Sequence, residues 1–473
     1  MKKLLLVFAF ILVGIGVVGC TADPNTTAAP TTEAPTTAAP TTAAPTTQGP
    51  TTVAPTTVAP TTEVEEVSQG VTDTTILVGN TAATTGVFAG VGVPFNDAIK
   101  AVFEAINEAG GIGGRQIQFI TYNDEFDATK GVTFTETLVE QDEVFALVGH
   151  FGTPTVGATI DYIQTQGVPM VYAATGINAL YFEQSVGNPV MAVQPIYLTD
   201  GRIMTARALT TDVYGSGTES FPVDGKIGVL YTNDDVGNSI KAGVEAEVEV
   251  FGINTANVVY YSASIETMEA AVTDLLFEDV DVVILAMNQA PFAAALAAMA
   301  NQSLEVPVFS SYVNADPTYV DPSQYSASRP IFTNAWVDVF SEEGQAAVAA
   351  FVATIMAADF LDEETKTAYL SNSFAIAGYI AATVFVEGLL RVEANGEVLN
   401  WDNYIAAMEE GPIDIPMGGI VDFSEGKRWG IASMSLLQYY VGDNPATTEV
   451  TETDWETFMQ VMPLETIEEI EAK

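Results

Sequence analysis

The chain is poor in the side chains that carry covalent and metal chemistry. Its 473 residues include one cysteine and one histidine. A single cysteine excludes a disulfide within the chain. With one imidazole, one thiol and no nucleotide fingerprint in proper order, nucleophilic and redox catalysis lack their usual parts. The reading is therefore not an enzyme, with no catalytic residues, no metal site and no cofactor. Positive charge is also scarce: 15 Lys and Arg stand against 61 Asp and Glu, a formal net charge of -46. Nucleic acid is excluded as a partner, because phosphate binding needs a basic face. No D-x-D-x-D-G run offers a calcium loop, so the acidity reads as a solvated surface. Beyond the N-terminus, no clean apolar run is expected to cross a membrane.

The first residues are specific. Lys2 and Lys3 precede an apolar stretch, Leu4 to Val18, placed like a signal peptide. It ends in Val17-Val18-Gly19-Cys20, which resembles a bacterial lipobox, so residues 1–19 read as a leader and Cys20 as the lipidated first mature residue. A lipid chain attaches a protein to a membrane without spanning it. From Thr26 to Pro60 seven Thr/Pro pentapeptides follow one another. Proline every fifth residue forbids helix, so 20–72 reads as a disordered tether, able to reach on the order of 100 Å.

From Asp73 strands and helices alternate. Apolar runs at 76–79, 117–122, 144–148 and 169–173 read as strands, with helical spacing between them. A second series has strands at 226–231, 258–261, 280–287 and 306–309. Near-continuous apolar strands alternating with helices predict α/β architecture, with parallel sheets covered on both faces, in two doubly wound lobes. Ligands then sit beyond the carboxyl ends of the strands.

Several residues have plain structural readings. His150 follows an apolar strand and reads as structural. The Gly110–Gly114 run follows a helix, so it is a cap and turn and not a phosphate loop. Glu245, Glu247 and Glu249 read as a solvated face, and Arg202 as solvent-facing or paired with a carboxylate. Thr153-Pro154-Thr155 opens a helix, with Thr153 placed to cap it. Trp336 lines the hinge or fills a core. The last fifteen residues read as a helix, because "WETFMQVMPLETIEEIEAK" has helical patterning, broken at Pro463.

Five stretches in order carry a resemblance. "TGVFAGVGVPFNDAIKAVFEAINEAGGIGGRQIQFITYNDEFDATKG", "LVEQDEVFALVGHFGTPT", "VPMVYAATG", "QPIYLTDGRIMTARAL" and "VLYTNDDVGNSIKAG" resemble the branched-chain amino acid (Leu/Ile/Val-binding) family of ABC-importer solute-binding proteins. The resemblance implies a type I periplasmic-binding-protein fold: two Rossmann-like lobes joined by a three-strand hinge that closes on a ligand. It implies lobe 1 over 73–195 and 336–425, and lobe 2 over 196–335 and 426–473. Carried over, Thr85, Gly86 and Phe88 form the first cleft turn. Thr153 and Thr155 grip a carboxylate or carbonyl, and Ala173, Ala174 and Thr175 supply the next turn. Tyr197, Asp235, Val236 and Asn288 close from the second lobe. Tyr312 stands where amino acid binders offer an acid, and Val91 where they offer a tyrosine. The implied ligand is a small polar organic solute: an amino acid, an amide, or a small or aromatic carboxylate. The implied partners are ABC permease and ATPase subunits, with a monomer tethered to the outer face of the cytoplasmic membrane. A sensory receptor using the same fold is the other reading. The ending "LETIEEIEAK", with no spanning segment after the lobes, argues against its direct fusion to a membrane unit.

Overall fold

The computed structural model describes residues 66–212, 220–339, 341–442 and 455–473. The expected leader, Cys20 and the Thr/Pro repeats lie outside the described residues. The ordered body begins before Asp73: Val71 is buried, and Gln69 Nε2 donates to the carbonyls of Val139 and Val144.

The first sheet holds β1 (Thr75–Ala82), β2 (Gln116–Asn123), β3 (Ala146–Val148), β4 (Met170–Val171) and β5 (Val190–Met191). Its order is β2-β1-β3-β4-β5, all parallel. Three helices connect it: α1 (Ala89–Glu108), α2 (Ala128–Glu140) and α3 (Thr153–Gln166). α1 buries Phe95, Ala98, Ile99 and Val102, the spacing of one helix face. It stops where Gly110 and Gly111 take φ of 112° and 76°, so the glycine run is a turn.

The second sheet holds β6 (Ile227–Tyr231), β7 (Val258–Ser262), β8 (Val282–Ala286), β9 (Val308–Ser310), β10 (Ile331–Ala335), β13 (Ser433–Gly442) and β14 (Trp455–Thr466). Its order is β14-β13-β10-β9-β8-β6-β7. It is parallel from β7 to β10 and antiparallel beyond. The helices here are α4 (Tyr197–Thr210), α5 (Asp235–Val250), α6 (Met268–Glu278) and α7 (Gln289–Asn301). After β10 the chain returns to the first lobe through α8 (Glu342–Ala357), α9 (Glu363–Tyr369), α10 (Ser373–Asn395) and α11 (Trp401–Glu409). A small hairpin, β11 (Ile413–Ile415) and β12 (Gly419–Val421), follows, and α12 (Ile467–Glu471) ends the chain.

α10 is long and apolar enough to cross a membrane by length and composition, contrary to the sequence reading. It packs instead along α1, where Gly378 lies so close to the backbone of Phe95 that a Cβ would collide with its carbonyl.

The C-terminal segment is corrected most. Residues 455–466 form β14, not a helix; only α12 is helical. Pairing with β13 offers a long ladder, and β14 is an edge strand, where Pro463 is tolerated. Glu247 is corrected too. Its side chain is fully buried, not solvated, and its Oε2 accepts from Arg202 Nε at 2.8 Å. Arg202, its side chain 30% exposed, also donates to Glu471 at 2.8 Å, so it pairs with two carboxylates of this chain.

The chain passes between the lobes at Gln194–Ile196, after β10, and near Gly430. The first and third crossings lie side by side: Ile431 N–H donates to the carbonyl of Val193 at 2.9 Å. Gly430 takes φ 70° and lies against the carbonyl of Gln194, where no Cβ fits.

Candidate functional site

The loops after β1, β3 and β4 meet those after β8 and β9 around one cavity of about 800 Å3. Parallel strands place their carboxyl ends, and the helix starts that follow, on the same side. The first residues of α3, α4 and α7 (Thr153, Tyr197 and Gln289) all stand on the wall, as does Phe88, the residue before α1.

Six of the ligand contacts expected from sequence line this cavity: Phe88, Thr153, Ala174, Tyr197, Asn288 and Tyr312. Thr153 does not cap α3 through its side chain; Gly152 is the N-cap, with φ 102°. Thr153 Oγ1 instead lies 2.8 Å from Thr175 Oγ1. Thr175 is thus just behind the wall, supporting Thr153. Ala173 is buried, and its carbonyl accepts from Thr175 N–H at 2.8 Å. Thr155 is placed away from the cavity. Its hydroxyl donates to Asp124 Oδ2 at 2.6 Å, an oxygen that also accepts from Thr81. Thr85 and Gly86 sit on the exposed rim, with Thr85 Oγ1 accepting from Asn123 at 2.7 Å. Asp235 is exposed at the start of α5, facing α3 near Gly157, and Val236 is buried in the core beside it.

The second lobe's aromatic pair is tied into the hinge. The Tyr312 hydroxyl donates to the Pro195 carbonyl at 2.8 Å and accepts from Gln194 Nε2 at 2.9 Å. Its ring stacks on Tyr197 at 6.0 Å. Burial pushes both phenols up, so both are neutral donors.

Sequence reasoning missed most of the wall. Phe95, Phe126, Phe151 and Tyr172 line it, and so do Leu370, Phe374, Ile376 and Ala377 from α9 to α10. In sequence these look like ordinary core residues. Trp336, expected to line the hinge or fill a core, stands just after β10, is buried in the core cluster, and also lines the cavity. Val91 is also on the wall. Tyr172 carries a signal that only structure shows. It takes φ 58°, rare for a bulky residue, and its buried hydroxyl has no hydrogen-bond partner.

His150 lies behind the site. Nδ1 accepts from Thr81 N–H at 3.4 Å, which leaves Nε2 to donate to Thr135 Oγ1 at 3.0 Å. Full burial lowers its pKa to about 3, so it is neutral and structural. Among the described residues no group of three or more His, Cys, Asp or Glu is placed to hold a metal.

A family profile described as periplasmic binding protein matches residues 75–443. An amino acid binding protein of Pseudomonas aeruginosa is 33% identical over 76 residues, which span 16% of this chain and 20% of that protein. The chain thus aligns with only a fifth of the length of that curated relative. Among solved structures, a fatty acid ABC transporter substrate-binding protein from Thermomonospora curvata has a TM-score of 0.66 at 20% identity, covering 86% of this chain and 96% of its own. A branched-chain amino acid ABC transporter protein from Thermus thermophilus with bound valine has a TM-score of 0.64 at 13% identity, covering 85% and 97%. An R. palustris solute-binding protein in complex with benzoate has a TM-score of 0.60 at 18% identity, covering 84% and 99%. At these identities the likeness shows a shared fold.

Proposed function

The chain belongs to the periplasmic binding protein family, and from that premise we propose that it captures a small organic solute between its lobes and delivers it to the permease of an ABC importer. The observation that carries this is the cavity of about 800 Å3 between the two sheets' loops, within the range that suits a small-molecule ligand. Phe88, Thr153, Ala174, Tyr197, Asn288 and Tyr312 are the proposed contacts from the sequence set, with Thr175 holding Thr153 in place. Thr155, Ala173, Asp235 and Val236 act behind or beside the wall, and Thr85 and Gly86 at its rim. The protein acts as a monomer, held to the outer face of the membrane by lipid on Cys20.

A thermal-shift panel of amino acids, amides, aromatic acids and aliphatic monocarboxylates tests the reading on the mature chain. A ligand at 100 times its Kd stabilises the fold by about 2.7 kcal/mol. At least one compound is expected to raise Tm in a saturable way, and Ala174→Trp, which fills the cleft, to abolish that rise. Silence across the panel from folded protein, or an undiminished response in the variant, overturns the site. Mass spectrometry of the mature N-terminus tests the anchor, which is refuted if Cys20 carries no lipid.

A further inference from the structure

The wall of the cavity is aromatic along an unbroken path. Phe88 and Phe126 have ring centroids 4.0 Å apart, and Phe126 and Phe151 6.3 Å. Phe151 is 5.7 Å from Phe95, Phe95 5.7 Å from Tyr172, and Tyr172 6.3 Å from Trp336. All six rings line the cavity, and the wall continues to the start of α10 at Phe374 and Ala377. An apolar surface of this extent gains most from an apolar partner that displaces its water. A free amino acid would leave most of about 800 Å3 unfilled.

Thr153, Tyr197 and Gln289 open α3, α4 and α7, whose positive dipole ends favour an anion. Ser371, Asn372 and Ser373 line the cavity at the start of α10, but there Asn372 Oδ1 already accepts from the N–H groups of Phe374 and Ala375. Tyr172 is on the same wall, and its buried hydroxyl has no hydrogen-bond partner. Among the described residues no Lys, Arg or His lines the cavity, and the one carboxylate is Asp316, whose Oδ1 accepts from the Thr318 N–H at 2.9 Å and hydroxyl at 2.7 Å. An ammonium buried at the helix starts would face their positive dipole ends, which is unfavourable.

We propose that the ligand is a monocarboxylate with an extended apolar body, its carboxylate at the starts of α3, α4 and α7 and its body along the aromatic path toward α10. This rests on the solute-capture reading and names its substrate class. The body is an alkyl chain or an aromatic group, and the test separates them.

Calorimetry on the mature chain uses sodium hexanoate, octanoate and decanoate, with 4-phenylbutyrate, decanamide and leucine. Affinity is expected to rise about fourfold per methylene from hexanoate to decanoate. Decanamide is expected to bind at least tenfold more weakly than decanoate, and leucine not at all. Phenylbutyrate tighter than octanoate assigns an aromatic body; the reverse assigns an alkyl chain. Ala377→Trp shortens the α10 end and is expected to weaken decanoate more than tenfold while hexanoate changes less than threefold. Val348→Phe, on the same part of the wall, serves if the first variant fails to fold. Equal losses at both lengths, or decanamide matching decanoate, overturn the placement. Leucine, or another compound of the wider panel, binding while decanoate is silent overturns the substrate class and leaves solute capture standing. Silence of every compound overturns both.

Discussion

Two buried titratable residues behind the cleft pull stability in opposite directions with pH. Asp200, in α4, accepts from Asn334 Nδ2 at 2.8 Å, yet burial raises its pKa from 3.8 to about 6. Between those values the folded state binds more protons than the unfolded one, so its contribution falls as pH rises from about 4 to 6. Above pH 6 the buried charge costs about 3 kcal/mol. His150 has the other sign. Its pKa is lowered from 6.5 to about 3, so stability falls as pH drops below 6.5. Asp200→Asn keeps the acceptor for Asn334 and removes the charge. It is expected to raise Tm at pH 7.5, with the gain shrinking toward pH 4. Thermal melts across pH 4–8 check this; no gain at pH 7.5 would mean that Asp200 is not a charged cost. At this scale the sequence was only partly legible. The Thr153 and Tyr312 positions followed from matched motifs. The hydroxyl of Thr155 turned inward because Asp124 lies behind it, which spacing does not reveal.

At the scale of elements, the end of the chain is fastened by α4. Arg207 bonds Glu465 of β14 at 2.7 Å, and Arg202 bonds both Glu247 of α5 and Glu471 of α12. Burial pushes Glu247 up to about 7, against the Arg202 guanidinium that pulls it down and beside Glu471, which adds to the rise. Arg202→Met strands both carboxylates and is expected to cost about 3–5 kcal/mol. Arg202→Met with Glu247→Leu should recover most of it. Urea unfolding measures both; a loss under 1 kcal/mol in the single variant would refute the anchoring role. The parallel strands were readable because burial on both faces makes them apolar runs. β14 was not. Its residues pair with β13 across a bulge near Leu436, and a long-range ladder decided a segment whose local pattern also suited a helix. Glu247 was misread for a related reason: its partner Arg202 lies 45 residues away in the chain.

For the whole molecule, the net charge of -46 works against compactness. Salt shortens the screening length from about 30 Å at 0.01 M to about 3 Å at 1 M. Tm is therefore expected to rise with sodium chloride, most steeply below about 0.15 M. A flat or falling curve would show that the acidic side chains are spaced too widely to repel. The two-lobe plan was legible because strand and helix signals repeat in two series. The aromatic path was not, because Phe95, Tyr172 and Trp336 come from separate segments and only folding sets them in line.

The paired crossings have a mechanical consequence. Gly430 and Ile431 are fastened along Val193 and Gln194, so neither strand twists without the other. Together they form one leaf spring, so in any relative motion of the lobes these two crossings would bend as a unit. Tyr312 is bolted to that unit through Pro195 and Gln194. The part of the pocket nearest the spring would then keep its shape while the far rim moves.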